Sequence, residues 1–180
     1  MTETLSDWNT RLFLLINAET DDHPLMLDAA EFAAESLVAV MFAGLAVYLL
    51  RHRCNRQVWL GIFCCIATAM LIAYLVRKGF HHPRPFMLGI GTNFLGHPPS
   101  SSFPSKHATP LFAAGAYLAL IPVTRLFGLA WLILSAAVAW SRIYLGVHWP
   151  FDMAGVLLVS LVAAVAVKYL LPKVKKPFER

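Results

Sequence analysis

The chain has 180 residues, 58% of them hydrophobic and only 14% charged, with a mean hydropathy of +0.63. Soluble domains carry about a quarter charged residues, so this composition excludes an ordinary soluble domain and points to a single membrane-embedded domain over residues 1–180. The net charge of +5 is not spread over a basic face, which argues against nucleic acid as a partner.

The elements follow in chain order. The N-terminus is acidic (Glu3, Asp7) and lacks a basic start, a long apolar core and a small-residue cleavage site, so it does not read as a signal peptide. Residues 5–18 place apolar side chains on one helical face but are too short to span, which predicts an interfacial helix within an N-terminal segment, 1–23. A helical core over 24–171 follows. One long helix is predicted over 24–50 and a second span over 57–77. Residues 78–104 form a polar loop rich in Gly and Pro, and a loop of this length usually carries function. A third span is predicted over 105–121, a fourth over 125–143 and a fifth over 150–171, with Pro122 and Pro172 ending the third and the fifth. The tail, 172–180, is basic. The expected fold is an all-α polytopic membrane bundle of five transmembrane helices plus the interfacial helix, or six if residues 5–18 insert. Cys54, Cys64 and Cys65 read as small packing residues, not as a disulfide framework or a metal site.

Charge placement orients the bundle. Arg51, Arg53 and Arg56 share one connector, and Lys173, Lys175, Lys176 and Arg180 share the tail. Cations collect on the cytoplasmic side, so the 78–104 loop and the 144–149 turn are expected outside. Arg77, Lys78, Arg84, Lys106 and Arg142 then fall on the outer side against the rule. Their convergence marks a candidate site.

"FPSKHATP" reads as a helix start, with Ser105 as N-cap and Lys106 and His107 in the first turn. Such a terminus binds anions, phosphate especially. In "VHWPFD", Pro150 suits a first helical turn and Asp152 lies four residues beyond His148. A carboxylate at that offset can fix the imidazole's tautomer and leave its other nitrogen free to attack. Arg142 lies six residues before His148, and Arg84 is restrained between Pro83 and Pro85. Together these residues read as phosphoryl transfer through a phosphohistidine. His148 is the expected nucleophile, His107 the general acid and base, and Asp152 the orienting group. Arg84, Arg142, Lys106 and Ser105, with the helix-terminus amides, are expected to hold phosphate. The protein supplies the cations, so no metal and no other cofactor is expected. Asp28, Glu31 and Glu35 share a helix face, and Glu31 or Glu35 is expected to face the site and pair with an Arg. His81, His82 and His97 read as loop residues, and Trp140, Tyr144 and Trp149 as an interfacial aromatic belt.

The motifs "SR-x5-H-x3-D" (Ser141 to Asp152), "PS-x-H" (Pro104 to His107) and "RP" (Arg84, Pro85) resemble the three signatures of the type 2 phosphatidic acid phosphatase superfamily, membrane lipid phosphatases related to vanadium haloperoxidases. The resemblance covers about residues 24–171. Two positions depart from it. The family's first motif has Lys seven residues before the Arg; here Arg77 stands there with Lys78 beside it, which leaves open which of the two meets phosphate. The second motif often has Gly where Lys106 stands. "HHPRPF", "SFPSKHAT" and "AWSRIYLGVHWPFDM" look most like the bacterial undecaprenyl-pyrophosphate phosphatases of the bacitracin-resistance type. That resemblance implies a polyprenyl pyrophosphate substrate and removal of its terminal phosphate to regenerate the cell-wall lipid carrier. It also implies a bacterial plasma membrane location with the site facing outward. Another lipid phosphate phosphatase (for phosphatidylglycerol phosphate, phosphatidic acid or lipid A), a lipid phosphotransferase and a non-catalytic anion-binding protein or transporter remain as alternatives.

Overall fold

A computed structural model describes residues 4–18, 23–54 and 56–171. The expectations for the basic tail, 172–180, fall outside these residues. The described residues form helices α1 (Leu5–Ile16), α2 (Pro24–Ala34), α3 (Ser36–Arg51), α4 (Arg56–Gly79), α5 (Ala108–Leu120), α6 (Arg125–Tyr144) and α7 (Pro150–Leu170), with single 3-10 turns at Pro85–Leu88 and Pro122–Thr124. No strand occurs among them.

Among the described residues, three helices are long and apolar enough to cross a membrane: α4, α6 with its preceding turn, and α7. The α2–α3 pair makes a fourth if counted as one span, and α5 is a shorter apolar helix. The single helix expected over 24–50 is instead broken at Glu35, with a 45° bend between α2 and α3. Helices kink where a side chain enters the backbone ladder. Here the Arg142 guanidinium donates to the Ala34 carbonyl at 3.5 Å.

Helix α5 is the axis of the bundle and packs against α4, α6 and α7. It is buried over most of its length because Ala113, Ala114 and Gly115 let neighbours come close. A side chain at Gly128 would strike the α5 backbone at Leu118 and Ala119, and one at Gly115 would strike Trp131 and Leu132. Trp131 Nε1 donates to the Leu111 carbonyl at 2.8 Å, so the indole's polar atom is satisfied inside the bundle. Outward faces carry Leu60, Phe63, Leu71, Leu158 and Leu161. These side chains suit a lipid surround rather than water.

Helix α1 starts with a capping box, in which Asp7 N–H donates to Thr4 Oγ1 and Thr4 N–H donates to the Asp7 carboxylate. Its buried face covers the α6–α7 turn. Phe13 packs on Trp149 with ring centroids 5.2 Å apart, Asn9 Oδ1 accepts the Phe151 N–H and Asn17 Nδ2 donates to the Tyr144 carbonyl. The α6–α7 turn itself needs Gly146, whose φ of +78° is left-handed and whose missing side chain makes room for the Thr92 carbonyl of the long loop.

The close approach at Gly128 has a measurable consequence. Replacing Gly128 with Leu is expected to destabilise the protein by roughly 1–3 kcal/mol, because overpacking against a backbone cannot relax cheaply. Thermal unfolding in detergent measures this, and an unchanged midpoint would contradict the contact.

Candidate active site

Helix α6 ends at Tyr144, Gly146 reverses the chain and Trp149 is extended before Pro150 opens α7. This geometry puts His148 on the turn and Asp152 in the first turn of α7. The Asp152 carboxylate reaches back to accept the Trp149 N–H at 2.9 Å. It also lies 3.0 Å from His148 Nδ1. His148 and Asp152 are both buried.

Arg84 fixes the tautomer from the other side. Its Nη1 lies 3.3 Å from His148 Nε2, and a guanidinium can only donate. Nε2 is therefore the bare nitrogen, and Nδ1 carries the proton that Asp152 accepts. Arg84 Nη1 also donates to the Val147 carbonyl, and its Nε and Nη2 both donate to Ser100 Oγ at 3.3 Å. Ser102 completes this group: its hydroxyl donates to Asp152 Oδ2 and lies 3.3 Å from His148 Nδ1.

Arg142 is buried on α6, with Nη2 3.3 Å from His107 Nδ1. By the same logic Nδ1 of His107 accepts, so the neutral ring carries its proton on Nε2. Arg77 Nη1 donates to the Pro104 carbonyl at 3.0 Å and adds its field to Arg84. A cavity of about 380 Å³ opens beside His107 and Arg142. Glu35, Val38, Leu95 and His97 also line it.

The electrostatics favour neutral imidazoles. Burial, and then Arg84 and Arg142, push His148 down to about 4 against the pull of Asp152. Partial burial and Arg142 push His107 to about 4. Burial, Arg77 and Arg142 lower Arg84 to about 10, which leaves it charged at neutral pH.

The structure thus brings together His148, Asp152, Arg84, Arg142, His107 and Arg77. Lys78 and Lys106 are exposed. Of the pair left open by sequence, Arg77 is the one turned inward. Glu35 lines the cavity without closing an ion pair to Arg142 among the described residues, whereas Glu31 is exposed and outside the lining. The start of α5 differs from expectation. The helix begins at Ala108, and Lys106 and His107 form the turn before it. Ser105 still makes the cap's bonds, since its carbonyl accepts the Thr109 N–H at 3.1 Å and its hydroxyl accepts the Ala108 N–H at 3.5 Å. Trp149 is not part of an interfacial belt. It is buried, and its indole N–H donates to the Pro83 carbonyl at 2.9 Å. Sequence reasoning passed over Ser100 and Ser102, and read His82 only as a loop residue. The run "SSSFPS" was the signal for the serines, but nothing in it shows which hydroxyl turns inward.

The sequence model described as the PAP2 superfamily matches residues 82–176. The chain belongs to the PAP2 superfamily. The three motifs that suggested the type 2 phosphatidic acid phosphatases are thus borne out. "Putative undecaprenyl-diphosphatase YbjG" of Escherichia coli (strain K12) is 37% identical over 90% of this chain and 82% of its own. Undecaprenyl-diphosphatase BcrC of Bacillus subtilis (strain 168) is 26% identical over 86% of this chain and 79% of its own. Decaprenylphosphoryl-5-phosphoribose phosphatase of Mycobacterium tuberculosis (strain H37Rv) is 33% identical over 92% of each chain. Among solved structures, the crystal structure of Aquifex aeolicus LpxE superposes with a TM-score of 0.70 at 21% identity, covering 93% of this chain and 99% of that one. At that identity the likeness speaks for the fold.

The buried imidazole predicts a pH effect on stability. The unfolded chain protonates His148 near the ordinary 6.5, whereas the folded chain holds it neutral to about 4. The unfolded state binds more protons in that window, so His148's contribution is full above about 6.5 and falls as pH drops toward 4. The detergent melting midpoint should therefore fall between pH 7 and pH 5, and less steeply in His148→Asn. Equal slopes would show that the ring is not held neutral.

Proposed function

We propose that this PAP2 chain is a membrane lipid pyrophosphate phosphatase that removes the terminal phosphate of undecaprenyl pyrophosphate, leaving undecaprenyl phosphate. One observation supports this above others. His148 is held with Nδ1 on Asp152 and a bare Nε2 beside Arg84, while Arg142 holds His107 at the neighbouring cavity. A fixed nucleophile with a second imidazole and three guanidiniums suits in-line displacement at a phosphoryl group.

The proposed reaction has two steps. His148 Nε2 forms a bond to the terminal phosphorus as the bridging P–O bond breaks. Arg84, Arg142 and Arg77 take the charge on the phosphoryl oxygens, and the Nη1 now on Nε2 transfers to one of them. His107 gives a proton to the departing lipid phosphate. Partial burial, and then the charge of Arg142, hold His107 neutral. A bound pyrophosphate offsets that charge and raises the ring's proton affinity, so that His107 carries a proton to donate. In the second step neutral His107 takes a proton from water, which attacks phosphorus and frees His148. Asp152 keeps its role throughout, and Ser105 and Lys106 border the phosphate site.

This reading fits one domain over residues 1–180 with five crossings: α2–α3 as one bent span, α4, α5, α6 and α7, with α1 at the interface. The site then faces the outer side of a bacterial plasma membrane and the basic tail the cytoplasm. The polar side of the cavity would take the pyrophosphate, and its apolar side (Val38, Leu95) the first part of the prenyl tail. The decaprenylphosphoryl-5-phosphoribose phosphatase relative favours one second reading, a lipid phosphate monoester as substrate.

Phosphate release from undecaprenyl pyrophosphate in detergent with a chelator present tests the proposal. His148→Ala and His107→Ala should each lower kcat/KM by roughly 10²–10⁴-fold. A fully active His148→Ala enzyme would end the phosphohistidine mechanism. Faster release from a monoester lipid would favour the second reading. Phosphate transferred to another lipid would mark a phosphotransferase, and binding without turnover a non-catalytic protein.

A further inference from the structure

Asp152 has a second oxygen that the mechanism above leaves unused. Oδ1 is buried and has no hydrogen-bond partner. His82 Nδ1 lies 3.5 Å from it; the His82 side chain is 32% exposed, but this atom is buried and likewise without a partner. Two buried polar atoms that face each other at this distance, each otherwise orphaned, form a pair that a small closure converts into a hydrogen bond. Leaving both unmade carries the desolvation penalty of two buried polar atoms with nothing gained in return.

The surroundings of His82 hold it in place. Its ring lies 6.0 Å from Phe80 in a stacked arrangement and 6.3 Å from Trp149 edge-on. Its N–H donates to Ser101 Oγ at 3.2 Å, and its carbonyl accepts the Ser102 N–H at 2.7 Å. The same residue therefore sets the main chain of Ser102, whose hydroxyl donates to Asp152 Oδ2. His82 thus faces the carboxylate with its own ring and is joined to it through Ser102.

We infer that His82 is a positioning residue for the proposed nucleophile: its Nδ1–H donates to Asp152 Oδ1, so that one carboxylate is clamped between two imidazoles, His148 on one oxygen and His82 on the other. This rests on the reading in which His148 attacks phosphorus. A carboxylate held on one oxygen can swing about its χ2 bond, and the imidazole it steers swings with it. Clamped on both, it holds the Nε2 lone pair of His148 on one line. The clamp also shares the negative charge of Asp152, so that less of it acts on His148. The charged and titratable groups facing this cluster are Arg77 from α4, Arg142 from α6, Asp152 from α7, and Arg84 and His148 from the connections.

Three variants separate this role from packing. His82→Asn places an amide N–H near the Nδ1 position. His82→Phe keeps a ring between Phe80 and Trp149 but has no donor. His82→Gln carries its amide farther out, at the Nε2 position. With undecaprenyl pyrophosphate as probe, His82→Phe and His82→Gln are expected to lose about tenfold in kcat with KM within twofold. His82→Asn is expected to stay within threefold of the parent. The acid limb of kcat/KM should also move to higher pH in His82→Phe. Without the clamp, Asp152 stabilises the His148 imidazolium more strongly, and more of the nucleophile is protonated at a given pH. If His82→Phe keeps parental kcat and an unmoved acid limb, the inference is overturned. It is equally overturned if His82→Asn is as impaired as His82→Phe, since packing alone would then explain the loss. Should His82→Phe not fold, a fully active His82→Gln overturns it instead. An active His148→Ala control would sink the underlying mechanism, and that outcome is distinct from each of these.

Discussion

A carboxylate with no exposed surface sits at the head of an apolar helix, and much of the outer half of the molecule is arranged to make that tolerable. Burying an unpaired charge is costly, and removing one partner of a buried pair costs several kcal/mol. Asp152 meets the requirement by drawing in groups from separate parts of the chain. The Trp149 N–H comes from its own helix start, His148 from the turn and the Ser102 hydroxyl from the long loop. The amide dipoles at the start of α7 add to this. Each bond that stabilises the charge also fixes a segment, so the loop, the turn and the helix are located by the same carboxylate. The orientation of His148 is then a by-product of solvating Asp152.

The guanidiniums follow a complementary logic. Arg77, Arg84 and Arg142 crowd one region and repel one another. Each donates to a main-chain carbonyl of a distant segment: Arg77 to Pro104, Arg84 to Val147 and Arg142 to Ala34. These carbonyls lie at or beside breaks in helical structure, where they lack helical partners. The cations therefore tie together the ends of α4, α5 and α6 and the break between α2 and α3. Among the described residues this positive charge is offset by Asp152 and, beside Arg142, by Glu35, and the three guanidiniums still outnumber these two acids. The arrangement therefore suits a ligand bearing several negative charges, such as a pyrophosphate, better than a neutral headgroup.

What could be read from the sequence was local. Apolar runs placed α4, α6 and α7 closely, with prolines marking both ends of α7, and the four-residue offset in "VHWPFD" was enough to foresee the His148–Asp152 pair. Arg77 and Lys78 are adjacent, so a helix turns them to different sides, but only packing says which side faces inward. Contacts between remote segments were not legible. Ser102 and Asp152 lie 50 residues apart, Arg84 and Val147 63, and Arg142 and Ala34 108. No periodicity encodes such pairs. The helix break at Glu35 was missed for the same reason, because its cause is a side chain from α6. Trp149 was misjudged because aromatic residues near span ends usually face lipid, whereas here α1 covers the ring and Pro83 takes its N–H.

The break at Glu35 also explains how a polar site and an apolar wall come to share one cavity. A continuous helix over 24–50 would keep the Ala34 carbonyl within its ladder, leaving Arg142 without that acceptor. The bend frees the carbonyl for Arg142 and at the same time sets Glu35 and Val38 on the cavity wall. One distortion thus holds a buried guanidinium in place and lines the space beside it with both charged and apolar groups. An amphipathic ligand needs both, a charged end among guanidiniums and a hydrocarbon beginning within a few ångströms of it. Here the first requirement generates the second, because the bond that anchors Arg142 is the bond that bends the helix.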